Sequence, residues 1–273
     1  MTDFKQVKEK ANEIRINSLK MVHAANSGHP GGSLSIADIL ASLYFGGHLK
    51  HNPKDPEDPN RDILVQSKGH ASPALYSCLG LAGFFPIEDT MSFRQLGSRF
   101  QGHIDRMRVP GVEISTGSLG HGLSNSVGIA LAAKLDNHPR KIFTILSDGE
   151  LQEGSNWEAA MSAAQFKLSN LIAFVDRNRI QLDGWTEETM GLNPLPDKFK
   201  AFNWEVIEIN GHNLEEIDQA LTKAAALGTG EKPIMIIANT IKGKGVSFME
   251  DQVAWHGVAP KDADLANALK ELV

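Results

Sequence analysis

The sequence predicts an α/β protein in which helices cover both faces of a doubly wound parallel sheet, giving three layers. Five short apolar runs have the length of strands, and several lack polar alternation, as expected for strands covered on both faces. Segments with helical spacing separate most of these runs, and strands that alternate with helices favour a parallel sheet. Because 273 residues can share one large core, we expect a single domain over residues 1–273.

The first elements along the chain are helical. Apolar residues recur at helical spacing over residues 7–22 and again over residues 36–43. Between these two helices, the glycines and proline of residues 27–32 predict a loop. Ser33 or Ser35 is then placed to cap the helix that follows.

The later elements alternate between strands and helices. Helices are expected at residues 157–164 and 214–225, and Asn213 with Glu216 has the spacing of a capping box at the start of the second one. The Pro- and Asp-rich residues 51–59 predict a surface loop. Cys78 lies in an apolar helical stretch and is expected in the core. The expected strands are residues 63–65, 142–146, 171–175, 206–209 and 234–238.

Charge and composition exclude several classes of protein. Lys and Arg number 27 against 33 Asp and Glu, and the resulting net charge of -6 has the wrong sign for a nucleic-acid surface. The charged start of the chain does not resemble a signal peptide, and no apolar run approaches the roughly 20 residues that cross a bilayer. We therefore expect a cytoplasmic protein with neither a nucleic acid nor a membrane as its partner.

Polar residues follow two neighbouring strands at the point where each ends. Asp148 and Gly149 come after the strand at 142–146, and Asn178 follows the strand at 171–175. Either segment alone is explained by a turn. Together they place carboxylate and amide oxygens at one edge of a sheet, where ligands of such folds gather and where Mg²⁺ finds its preferred ligands.

A glycine-rich segment, residues 117–122, precedes a helical stretch. Glycines permit close approach of a ligand, and a helix N-terminus favours anions, although a tight loop explains the segment equally well. The order of glycines is not the dinucleotide fingerprint, and the sequence has no complete P-loop. It also lacks the G-x-S-x-G and H-E-x-x-H motifs of two hydrolase classes.

Five segments, in the same order along the chain, resemble the transketolases. They are SGHPGG at 27–32, SKGHASPALYS at 67–77, VEISTGSLGHGLSNSVGIA at 112–130, the segment 147–184, and TIKGKGVSFMED at 240–251 with the WHG that follows. The resemblance implies thiamine diphosphate as cofactor and a metal ion, Mg²⁺ with Ca²⁺ or Mn²⁺ as substitutes. The implied metal ligands are Asp148, Asn178 and the backbone carbonyl of Ile180.

The resemblance also implies roles for glycines around the cofactor. Gly149 would bring its N–H to a phosphate, and Gly117 and Leu119 would border the cofactor rings. Ser147 departs from the family, which commonly has glycine there. Glu153 would lie at a subunit interface, bonded to a glutamate of the partner in the network that activates the cofactor.

Four histidines fall within the matched motifs. The resemblance implies that His29, His103 and His256 face the sugar, where imidazoles donate hydrogen bonds and move protons. His70 and His256 would lie near the diphosphate. Lys242 would place a cation there as well, although a solvated basic loop explains this lysine equally well.

A complete transketolase is more than twice this length and adds a pyrimidine-binding domain and a third domain. The resemblance therefore implies the N-terminal subunit of a split transketolase, completed by a C-terminal subunit in a heterotetramer of two of each. The reaction would be reversible transfer of a two-carbon ketol unit from a ketose phosphate to an aldose phosphate. The alternatives are part of a 1-deoxyxylulose-phosphate synthase, part of a 2-oxo acid decarboxylase or dehydrogenase, and a non-catalytic scaffold.

Overall fold

The computed structural model describes residues 2–182 and 184–272 and contains a five-stranded sheet in the order β1-β2-β3-β5-β4. Every neighbouring pair of strands is parallel. All five expected strands are present, so the predicted fold class is confirmed. The strands are β1 (Ile63–Gln66), β2 (Ile142–Ser147), β3 (Leu171–Arg177), β4 (Glu205–Asn210) and β5 (Ile234–Asn239).

Ten α-helices connect and cover these strands in the described part of the chain. Asp3 caps the first of them by accepting hydrogen bonds from two backbone N–H groups, which the first turn of a helix otherwise leaves unpaired. The helices are α1 (Phe4–Ala24), α2 (Pro30–Ser35), α3 (Ala37–Phe45), α4 (Ser72–Leu81), α5 (Gly122–Leu135), α6 (Gly154–Gln165), α7 (Thr186–Thr189), α8 (Leu195–Ala201), α9 (Leu214–Leu227) and α10 (Asp262–Glu271).

The sheet is the middle of three layers. Successive side chains of a strand point to opposite faces. In β2, Phe143 and Ile145 pack with α1, α3, α4 and α9, whereas Ile142 and Leu146 pack with α5, α6 and α8. Because both faces of the central strands are covered, these strands are apolar without alternation, as the sequence predicts.

The register of the sheet brings the strand ends together. Ser147 at the end of β2 lies beside Asp176 of β3, and Arg177 lies beside Asn239 at the end of β5. Residues that follow these strands therefore meet at one edge of the sheet, together with the segment that follows Gln66 of β1.

Two predictions for the N-terminal segment are wrong, the loop over residues 27–32 and the serine cap of the following helix. Residues 27–32 do not form a loop throughout, because α2 begins at Pro30. Proline suits this first helical position, since it has no N–H to leave unpaired and its fixed φ is helical. Neither Ser33 nor Ser35 caps α3: Ser33 donates to the His29 carbonyl at 2.8 Å, and Ser35 donates to a carboxylate described below.

Other sequence predictions agree with the structure. Residues 51–59 form a largely exposed loop, and Cys78 is fully buried. Asn213 caps α9, although Glu216 accepts a hydrogen bond from the Asn210 N–H in place of the reciprocal capping-box bond. No described helix combines the length and the apolar character needed to cross a membrane.

Candidate active site

A cavity of about 360 Å³ opens at the carboxyl edge of the sheet. It is lined by segments that are far apart in sequence: the start of α2, the segment after β1, the glycine-rich segment before α5, and the loops after β2, β3 and β5. Of the predicted site residues it brings together His29, His70, His103, Gly117, Leu119, Gly149, Glu153, Asn178, Ile180, Lys242 and His256.

Asp148 is the one predicted site residue that does not line this cavity, because it is buried directly behind it. Its carboxylate accepts hydrogen bonds from the Gly149 N–H at 2.8 Å and from the Arg179 N–H. Arg179 stands between Asn178 and Ile180 with a φ of +64°, which turns the backbone of this loop sharply. The three predicted metal ligands therefore lie on two touching segments.

The surroundings of Asp148 would be stabilised by a positive charge. Burial, together with the neighbouring Asp176 carboxylate, raises the pKa of Asp148 to about 7. A cation bound beside the two carboxylates would offset their repulsion. The residues present thus fit a metal ion at this place.

The donor set indicates which kind of metal fits. In the described residues no three His, Cys, Asp or Glu side chains converge on one point, so the nitrogen- and sulfur-rich sites of zinc are not formed there. One carboxylate, one amide and one backbone carbonyl are oxygen donors of the kind that Mg²⁺ takes while it keeps other positions for phosphate oxygens.

Asp176 is a buried residue to which the sequence analysis assigns no role. One oxygen, Oδ2, accepts hydrogen bonds from Lys68 Nζ, from Ser35 Oγ at 2.7 Å and from Asn178 Nδ2 at 2.9 Å. The other oxygen accepts from Thr240 Oγ1. Although burial opposes ionisation, the Lys68 ammonium and these donors hold the pKa of Asp176 below its usual value. The sequence feature that could have identified Asp176 is an acidic residue within an otherwise apolar strand.

Glu150 fixes the glycine-rich segment in a similar way. Its carboxylate accepts hydrogen bonds from Ser67 Oγ, from the Gly120 N–H at 3.0 Å and from the Ser147 N–H at 3.2 Å. Gly120 has a φ of +86°, a conformation that favours glycine. The segment that carries Gly117 is thereby tied to the ends of β1 and β2.

The four predicted histidines form one cluster. The ring centroid of His29 lies 5.2 Å from that of His70, 5.4 Å from that of His256 and 6.2 Å from that of His103. Burial, and then nearby cations, lower the pKa of His29 to about 4 and that of His256 to about 3. The pKa values of His70 and His103 are lowered by the same causes. Near pH 7 these imidazoles are neutral.

Lys242 contacts two sides of the cavity, the loop that contains Ile180 and the histidine cluster. It is 2% exposed, so the alternative of a solvated basic loop is wrong. Its ammonium donates to the Ile180 carbonyl at 3.0 Å and to His256 Nδ1 at 2.7 Å. Lys242 therefore connects the loop of residues 178–180, which carries two of the predicted metal ligands, to the histidine cluster.

Arg94 is a further residue of the site that the sequence analysis does not identify. Its guanidinium donates to Ser27 Oγ at 2.7 Å and reaches His29 Nδ1 at 3.5 Å. It belongs to a segment outside the matched motifs, so only the folded structure connects it to the cluster. Glu153, in contrast, is an exposed residue on the rim of the cavity.

Known proteins with a similar sequence and architecture are transketolases. A family model described as the thiamine diphosphate binding domain of transketolase matches residues 6–272. The chain is 46% identical over 267 residues to the 6-deoxy-6-sulfo-D-fructose transketolase subunit SqwG of Clostridium sp. (strain MSTE9), covering 97% of this chain and 96% of that one. It is 42% identical to an apulose-4-phosphate transketolase subunit of Actinobacillus succinogenes, covering 98% and 96%.

Full-length transketolases match over part of their length. The crystal structure of the transketolase from Campylobacter jejuni superimposes with a TM-score of 0.92 at 41% identity, covering 98% of this chain and 43% of that one. Human transketolase is 37% identical over 253 residues, covering 92% of this chain and 39% of its own length. The chain thus spans nearly all of the subunit relatives and about two fifths of the full-length enzymes.

Proposed function

Because this chain belongs to the transketolase family, as a counterpart of its thiamine diphosphate-binding domain, we propose that it is the N-terminal subunit of a two-chain transketolase. The complex would transfer a two-carbon ketol unit from a ketose phosphate to an aldose phosphate. The observation that carries this proposal is one cavity lined by four histidines and the buried Lys242, with the strand-end carboxylate of Asp148 buried directly behind it. A scaffold has no physical need for that set, and the named relatives are transketolases.

The metal and the cofactor would be held by residues of this chain. Asp148, Asn178 and the Ile180 carbonyl would bind the metal, and the metal would bind the cofactor diphosphate. When bound, thiamine diphosphate supplies the carbon nucleophile that ketol transfer needs. Lys242 and His70 would donate to the diphosphate, and Gly117 and Leu119 would border the rings.

The histidine cluster would bind the sugar and move its protons. Neutral imidazoles can accept a proton from a hydroxyl or donate a hydrogen bond to one. His29, His103 and His256 all line the cavity and are placed for these tasks. Arg94 adds a fixed positive charge beside His29.

The proposed partner is a second subunit that carries the pyrimidine-binding domain. The rim of the cavity supports this, because Leu182 there is 63% exposed and the acidic Glu153 is exposed as well. Exposed Leu135 and Met161 on α5 and α6 support contact with a second copy, as in a heterotetramer of two of each subunit. We further propose that this chain is a single domain and that the complex is cytoplasmic.

A labelled-donor experiment tests the reaction. The purified two-chain complex, with thiamine diphosphate and Mg²⁺, is given a ketose phosphate labelled with ¹³C at its first two carbons and an unlabelled aldose phosphate. We expect both labels to appear together in a ketose two carbons longer than the acceptor, measured by NMR. Release of a labelled carbon as a one-carbon product would contradict the proposal. Absence of transfer to every aldose phosphate tested would contradict it as well.

The neutral histidines predict an acid-sensitive stability of the cofactor-free chain. Burial, and then the facing Lys242, His29 and Lys68, lower the pKa of His256 to about 3 in the folded chain, whereas its unperturbed pKa is 6.5. Acidification through this window therefore favours unfolding. We expect the Tm of the His256→Asn variant, which keeps an acceptor for Lys242, to fall by a few degrees less than that of the wild type between pH 7 and pH 4.5. Parallel melting curves would contradict this assignment.

A further inference from the structure

The buried Asp176 carboxylate determines how the amide of Asn178 is oriented. A carboxylate only accepts hydrogen bonds, so an amide that bonds to it must present its NH₂ group. Asn178 does so through Nδ2, at 2.9 Å from Asp176 Oδ2. Its Oδ1 is therefore turned the other way, where it accepts the Ile180 N–H at 3.1 Å. That oxygen is the one that would bind the metal.

We propose that Asp176 is a positioning residue, which holds the Asn178 amide with its oxygen toward the metal before the metal binds. This inference rests on the proposed metal-held cofactor. The two ends of an amide differ little in shape, and without Asp176 as acceptor only the Ile180 N–H would oppose the orientation that presents the NH₂ group instead. An NH₂ group repels a cation, so the wrong orientation removes a ligand and opposes the metal.

The other contacts of Asp176 keep it an acceptor. Lys68 is fully buried, and its ammonium donates both to Asp176 and to the Gly32 carbonyl at 2.8 Å. Thr240 occupies the second oxygen and does not contact the amide. The network thus leaves Asn178 a single orientation.

Metal titration of the two-chain complex tests this inference. Mg²⁺ is titrated calorimetrically with thiamine diphosphate in excess, and Tm is measured in parallel. We expect Asp176→Leu, which leaves the Asn178 NH₂ group without its acceptor, to weaken Mg²⁺ binding roughly 10- to 100-fold, as loss of a residue that orients a metal ligand does. The matched control is Thr240→Val, which removes another hydrogen bond from the same carboxylate. We expect its Mg²⁺ affinity to equal that of the wild type.

A second variant guards against a failure to fold, because Asp176→Leu leaves the Lys68 ammonium without its counterion. The double variant Lys68→Met with Asp176→Leu replaces the buried pair by apolar side chains, an exchange that folded proteins often tolerate. We expect it to fold and to show the same loss of Mg²⁺ affinity. Wild-type affinity in this variant, or equal losses in Asp176→Leu and Thr240→Val, would overturn the inference. Failure of the wild-type complex to bind Mg²⁺ would instead refute the proposed function.

Discussion

Replacing Asp148 by alanine should abolish metal-dependent binding of thiamine diphosphate by the two-chain complex. The substitution removes the only carboxylate among the three proposed metal ligands. The expected loss is at least roughly 100-fold, the upper end of what altered supporting residues of metal sites cause. Calorimetry with thiamine diphosphate, in the presence and absence of Mg²⁺, measures it directly.

The fold should survive this change, which separates metal loss from unfolding. Asp148 is buried beside Asp176 and its ionisation is disfavoured, so its removal relieves repulsion between carboxylates. Because the Gly149 and Arg179 N–H groups lose their acceptor at the same time, we expect the Tm of the metal-free variant to stay within a few degrees of that of the wild type. The exposed Asp136, at the end of α5, provides a control whose alanine variant should bind normally. Unchanged affinity in Asp148→Ala would remove Asp148 from the metal site.

The isolated chain should lack ketol-transfer activity and gain it with its partner subunit. The cavity contains the histidines and the proposed metal ligands Asn178 and Ile180, whereas the pyrimidine-binding domain, with the glutamate proposed to bond to Glu153, is expected on the partner. Losing preorganised groups of this kind costs at least about 100-fold in rate. In a titration with the partner, we expect activity to rise and then to level off at an equal number of the two subunits.

Two controls define this result. The partner alone should be inactive, and the partner with the Asp148→Ala chain should be inactive as well, because the metal ligands would come from this chain. Both measurements use the labelled-donor assay described for the wild-type complex. Robust turnover by the isolated wild-type chain would contradict the two-subunit arrangement.

The sequence is sufficient to predict the sheet and the pairing of Asp148 with Asn178 for a physical reason, whereas the histidines of the candidate site are implied by the family resemblance alone. Strands buried on both faces must be apolar throughout, so residues 142–146 and 171–175 are recognisable without a structure. Polar residues directly after such strands must meet at one edge. Asp148 and Asn178 could therefore be placed together although 30 positions separate them.

The supporting residues could not be predicted in this way. Lys68 and Asp176 are 108 positions apart, and a charged residue is identified as buried only when its partner is known. Glu150 likewise depends on donors from Ser67 and Gly120, which come from other segments. The start of α2 at Pro30 escapes prediction because glycine and proline usually end regular structure, whereas here proline begins it.

The double contact of Lys68 has a consequence for attempts to change the sugar preference of this enzyme. One ammonium holds both the Gly32 carbonyl of α2, next to the histidine cluster, and Asp176 behind the loop of residues 178–180. Substitutions in α2 that are intended to reshape the proposed sugar-binding cavity would therefore also disturb residues 178–180, which would bind the metal. The segment around Arg94 and His103 contacts the same cavity without touching Asp176, so mutagenesis libraries aimed at new sugars are better directed there.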